Sequence, residues 1–134
     1  MFDALDIPAS ALLAQRARMD TISANVANSN TLRGPDGEKS PYRRRFVVFA
    51  AGRADDASLP GVHLQSVEID QSPLRQVYDP GHPDADKDGY VKYPNVDLAV
   101  EQVNMIEASR AYEANVTMMD TLKAMINSTL RLIA

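Results

Sequence analysis

The sequence predicts a mainly α fold with a small β region, its long N- and C-terminal helices paired as a coiled coil and a short-stranded β and loop segment between them. Three observations carry this. Gly and Pro are absent from Ala9 to Arg33 and again from Asn95 to Ala134. Within both stretches apolar residues recur at sevens, the spacing of a helical seam. All six glycines and seven of the eight prolines fall from Gly34 to Pro94, which excludes long helices there. At 134 residues the chain suits one domain, divided as 1–32 (N-terminal helix), 33–61 (extended loop), 62–94 (small β region) and 95–134 (C-terminal helix).

In the first helix Leu5, Leu12, Met19 and Val26 stand seven apart, with Ile22 between the last two. Proline is tolerated in a first helical turn, so the regular helix is expected to start within a few residues of Pro8. The helix runs into the Asn-rich stretch "TISANVANSNTLRG". Asn disfavours helix interiors because its amide competes for nearby backbone groups, and it tolerates left-handed backbone. Asn25, Asn28 and Asn30 are therefore expected to close the helix and turn the chain outward.

The central zone offers four short strand candidates: "RRFVVF" (Arg44 to Phe49), "VHLQSVEI" (Val62 to Ile69), "LRQVYD" (Leu74 to Asp79) and "GYVKYP" (Gly89 to Pro94). Alternation and β-branched or aromatic content mark them. "GPDGEKSP" and "AAGRADDASLPG" read as polar loops.

In the last zone Leu98, Met105, Tyr112, Met119, Ile126 and Ile133 form an unbroken series at sevens, widened by Met118, Leu122 and Met125. Glu101, Glu107, Arg110, Glu113, Asp120 and Lys123 supply most of the charge. Pro94 stops anything upstream, and Asn95 or Asp97 can cap the first turn. A face this broad is not covered by one partner helix, which points to an interface.

Composition narrows the function. With no cysteine there is neither a disulfide framework nor a thiolate metal site. The N-terminus "MFDALDIPAS" has acids where a secretory signal has a basic region, and no segment reaches membrane-spanning length. Net charge is -4, against general phosphate-backbone binding; residues 31–60 carry +2 and residues 61–95 carry -3. The triplet in "YRRRF" suits an acidic neighbouring subunit or solvation better than nucleic acid. "DADKDG", Asp84 to Gly89, begins like a calcium loop, but the twelfth position is Asn95, which lacks the bidentate carboxylate, and Pro94 blocks an exit helix. An acidic turn is the better reading. His63 and His82 form no ligand set with Cys or carboxylate spacing. No GxSxG, phosphate-cradling glycine loop or HExxH occurs, so no catalytic, cofactor-binding or metal residues are assigned.

Four stretches in order, "ALDIPASALLAQRARMDTISANVANSNT", "PYRRRFVVF", "YDPGHPDADKDGYVKYPNVD" and "VNMIEASRAYEANV", resemble the bacterial flagellar basal-body rod proteins of the proximal-rod type. The resemblance spans nearly the whole chain, the loop from Ala50 to Gly61 being undiagnostic. It implies a non-enzymatic structural subunit in a rod crossing the periplasm. Its terminal helices would polymerise with copies of itself and with other rod proteins, transmitting torque from motor to hook. It also implies passage through the flagellar type III export apparatus, with Phe2 and Leu5 as export-signal candidates, and no small-molecule substrate or nucleic acid. The stripes and the resemblance together mark an assembly interface of Leu5, Leu12, Met19, Ile22, Val26, Asn28, Leu98, Met105, Tyr112, Met118, Met119, Leu122, Met125, Ile126 and Ile133. The competing expectation is a monomeric helical-hairpin binding module with a calcium-binding acidic loop.

Overall fold

The computed structural model describes residues 3–133, so Phe2 lies outside the described residues. Helix α1 runs Asp3–Ala27. Strands β1 (Arg45–Ala51), β2 (Val62–Ile69), β3 (Arg75–Tyr78) and β4 (Tyr90–Tyr93) follow, and helix α2 spans Leu98–Ile133. The fold is thus mainly helical with a small β region. At 1.5 Å per residue α1 is about 37 Å long and α2 about 54 Å.

The helices pack antiparallel. Arg18 meets Glu107, Met19 meets Ser109 and Asn25 meets Glu101, so numbers fall along α1 as they rise along α2. By the same rise, Asp3 falls opposite roughly Ala124, and the last turns of α2 run past the described start of α1. Ala108, wholly buried between Glu107 and Ser109, lets the helices approach closely.

The start of α1 differs from expectation. Pro8 sits inside the helix, in its second turn, where its ring removes the bond to the carbonyl four residues back. Burial compensates, because Pro8 is among the most enclosed side chains of the chain. Two residues on, the Ser10 hydroxyl donates to the Ile7 carbonyl (2.7 Å) and accepts the Val62 N–H (3.1 Å), which ties the start of β2 to α1.

The end of α1 is closed by hydrogen bonding and not by left-handed backbone, since no non-glycine residue among those described has positive φ. The Asn28 N–H and its Nδ2 both donate to the Ala24 carbonyl, at 3.0 and 2.8 Å. Its Oδ1 accepts the Thr31 hydroxyl at 3.1 Å, so one side chain ends the helix and starts the turn.

The β region forms two antiparallel pairs, β1 with β2 and β3 with β4. Strand β1 lies within 33–61, the segment read as extended loop, and pairs Arg45 with Ile69 through Ala51 with Val62. A register shift between Val48 and Phe49 breaks this ladder. Residues β2 and β1 both pack on α1. In the second pair Tyr78 stacks edge-on against Tyr90, and Gly89 (φ 83°) makes the approach to β4. A Cβ at Gly89 would meet the Tyr78 ring at 3.0 Å.

Asp97, not Asn95, caps α2. Its Oδ1 accepts the Ala99 N–H at 2.9 Å, while its carbonyl accepts the first helical N–H, from Glu101. Among the described residues the buried apolar side chains are few: Ala14, Ile22, Val91, Val96 and Ala108, with Pro8 and Pro94.

Candidate assembly interface

At the base of the helical hairpin, where α1 ends and α2 begins, buried polar groups replace an oily core. Asn25 is wholly buried and uses every hydrogen-bonding position of its amide. Its Nδ2 donates to the Arg45 carbonyl (2.8 Å) and to Glu101 Oε2 (3.0 Å). Its Oδ1 accepts the Tyr42 hydroxyl (3.0 Å) and the Arg45 N–H (2.9 Å). Glu101, also wholly buried, takes Arg44 Nε on its other oxygen at 2.7 Å. Arg44 reaches on to Asp70 at 3.6 Å. Asn95 completes the knot: its Oδ1 accepts the Arg44 N–H (2.8 Å), and its Nδ2 donates to the carbonyls of Asp70 and Ser72. Both helices, β1 and the end of β2 are therefore joined through one satisfied network.

The same environment moves two titrations. Burial pushes the Tyr42 hydroxyl above its ordinary value, with the Arg45 charge opposing and Glu101 adding to the rise. Asp70 is held below the ordinary carboxylate value, first by the Ser72 hydroxyl and amide donating to it and then by Arg44.

Further up the hairpin, α2 carries two apolar faces. The series at sevens turns partly toward α1: Met105, Tyr112, Met119 and Ile126 are half-buried, as are Leu122 on α2 and Leu5, Leu12 and Met19 on α1. Ile22, expected at the assembly interface, is 5% exposed and belongs to the subunit's own core. Asn28 is half-buried and engaged in the turn. Ile133 ends α2, and its side chain lies outside the described residues.

A second ridge faces away from α1. Met118, Met125 and Leu132 stand seven apart and are 50%, 60% and 87% exposed. Val100, Val103 and Ile106 continue the outer surface toward the base, with Leu98 and Val26 exposed at its flank. Of the residues assigned to assembly from sequence, Met118 and Met125 lie on this free ridge. Leu132 continues the spacing of Met118 and Met125 by one more heptad.

The remaining motifs are used internally. Arg44 is consumed by Glu101 and Asp70, and Arg43 donates to the carbonyls of Asp70 and Ser72. In "DADKDG", Asp84 is 7% exposed and paired with Arg33 at 2.6 Å, while Asp86 Oδ1 accepts the Asp88 and Tyr90 N–H groups. Among the described residues no group of three or more His, Asp or Glu side chains is placed to hold a metal ion, and nothing supports the calcium-loop alternative. His82 Nδ1 accepts the Asp84 N–H, and His63 sits against the Gly52 carbonyl.

Known proteins match this arrangement along its length. A family model described as "Flagella basal body rod protein" matches residues 5–33. One described as "Flagellar basal body rod FlgEFG protein C-terminal" matches residues 87–132. The first matched span thus covers most of α1 and the turn after it, and the second covers β4 and nearly all of α2. The chain is similar to the "Flagellar basal-body rod protein FlgC" of Borreliella burgdorferi, 43% identical with 99% of this chain and 97% of that protein covered. It is 44% identical to the FlgC of Salmonella typhimurium (98% and 97% covered) and 39% identical to that of Bacillus subtilis (98% and 97%).

Proposed function

The chain belongs to the FlgC family of flagellar basal-body rod proteins, and from that premise we propose that the outer ridge of α2 is its main assembly surface. The protein is a structural subunit of the proximal rod, located in the flagellar basal body, and it assembles with other rod components. Its work is mechanical: torque passes through packed helices, and the chain performs no catalysis. In this reading it reaches the rod through the flagellar export apparatus, supported by membership of the rod-protein family.

One observation carries the assignment of the surface. Met118, Met125 and Leu132 form an exposed apolar row on a helix whose other face pairs with α1 as far as roughly Ala124, beyond which the last turns stand past the described start of α1. Taking such a side chain from full exposure to full burial contributes roughly 1.5–3 kcal/mol, and covering the part still exposed here contributes a corresponding share of that. Methionine suits a contact with non-equivalent neighbours, because its unbranched thioether fills differently shaped gaps. The half-buried residues Leu5, Leu12, Met19, Met105, Tyr112, Met119, Leu122 and Ile126 border the seam and would be covered at its edges. The test is Met125→Glu in a motile strain, read by swimming and by recovery of intact rods. Loss of both, with a purified subunit that melts normally, is expected; normal swimming removes the ridge from the interface.

A further inference from the structure

A second surface, at the base of the hairpin, has the opposite character. An open cavity of about 610 Å³ lies between the end of α1 and the 33–45 segment, lined by Arg33, Arg43 and Arg45 together with Asn28, Tyr42 and Ile69. Asp84 neutralises Arg33. Arg43 donates only to backbone carbonyls, and Arg45 lies over the Tyr42 ring at 5.6 Å. Among the described residues, neither Arg43 nor Arg45 has a carboxylate within 4.0 Å. Two uncompensated guanidinium groups thus line a concavity on a chain of net charge -4, with Ile69 48% exposed beside them.

The matching surface is on α2. Glu113 and Asp120 stand seven apart on one exposed face, with Val116, 38% exposed, between them. Neither acid has an ion-pair partner among the described residues. They cannot serve the cavity of their own chain. Asn25 is level with Glu101, so Glu113 and Asp120 sit about 18 and 28 Å further along α2 from the base. We propose, resting on the rod-subunit reading, that the basic cavity receives the Glu113 to Asp120 stretch of α2 from a second copy of this chain. Arg43 and Arg45 meet the two carboxylates, and Val116 meets Ile69. Such a contact joins unlike surfaces offset along the helix axis, so repeating it gives an open helical array and not a closed pair. The charges set the register of neighbours, while the apolar ridge supplies the larger share of contact energy.

The chain has no cysteine, so introduced pairs report single contacts. In isolated rods, Arg45→Cys with Asp120→Cys should be joined between copies by a short bis-maleimide, which spans the gap left by the long native side chains that a direct disulfide does not. Arg18→Cys with Glu107→Cys, whose native partners are 3.2 Å apart within one chain, is the internal control. Arg45→Glu should reduce rod assembly, and adding Asp120→Arg should restore it. Absence of the cross-link between copies while the control closes, or an Arg45→Glu defect that Asp120→Arg leaves untouched, overturns the proposal. Met125→Glu in the same strain separates the two readings: if it blocks rods while Arg45→Glu does not, the rod surface stands and the register contact falls.

Discussion

The base of the hairpin and its far end are built from the same two helices but stabilised in different ways. At the base, Asn25 and Glu101 are wholly buried and joined to Arg44, Tyr42 and Asn95. At the far end, Met125, Leu130 and Leu132 are 60%, 55% and 87% exposed. A buried charge has to be satisfied within the chain, because leaving it unpaired is costly. An exposed apolar row is tolerated until a neighbour covers it. The base is therefore satisfied within the chain, and on the assembly proposed above the far end is the surface that a neighbouring subunit covers.

The comparison is broken most severely at the base. Arg44→Ala leaves the Glu101 carboxylate buried without its cation and should lower subunit stability by about 3–5 kcal/mol, measured by denaturant unfolding. Asn25→Ala orphans the Tyr42 hydroxyl, the Arg45 backbone groups and one Glu101 oxygen. At about 1–3 kcal/mol for each unpaired buried group, softened by relaxation, a loss of about 3 kcal/mol is expected in the same assay. Asp97→Ala removes only the cap of α2 and should cost about 1 kcal/mol, seen as a small drop in melting temperature.

Titration sharpens the contrast without mutation at the far end. Tyr42 has a raised folded value, so its contribution is complete below its ordinary value of 10.0 and is lost as pH rises through and beyond that value. Asp70 is depressed from 3.8, so its contribution holds above that value and is lost as pH falls below it. Tyr42→Phe should flatten the alkaline limb of a stability–pH curve and leave the acid limb in place. The smallest effect on the free subunit belongs to Met125→Glu, within about 0.5 kcal/mol, because a solvated carboxylate replaces a side chain that is already exposed.

Much of this division was legible in the sequence, and what was hidden has a common cause. Local patterns gave β2 its full range, Val62–Ile69, and placed both helices, because period and the distribution of Gly and Pro act over short distances. Glu101 was read only as one of the residues that supply the helix's charge, yet it is the most deeply buried acid among the described residues. Its partner Arg44 lies 57 residues earlier, and no spacing within α2 announces that pairing. Asn95 drew notice as a possible cap for the same reason; it has the right side chain near a helix start, but the carbonyls of Asp70 and Ser72 claim it. Asn25 stood out as an unfavourable residue in a helix, and the structure shows it serving as a four-way connector rather than a terminator. The series at sevens marked the seam between the two terminal helices, but it did not separate the residues facing that seam from those facing outward. Met119 and Ile126 turn toward α1, while Met118 and Met125, one residue away, face outward. A rotation of 100° per residue makes that distinction invisible until the facing helix is placed.

The most direct measurement is amide hydrogen exchange along α2 in the free subunit and in isolated rods. Leu98 to Tyr112 should be protected in both states, and Met118 to Leu132 strongly protected only in rods. Equal protection of Met118 to Leu132 in the free subunit and in the rod would contradict the claim that neighbours cover this surface.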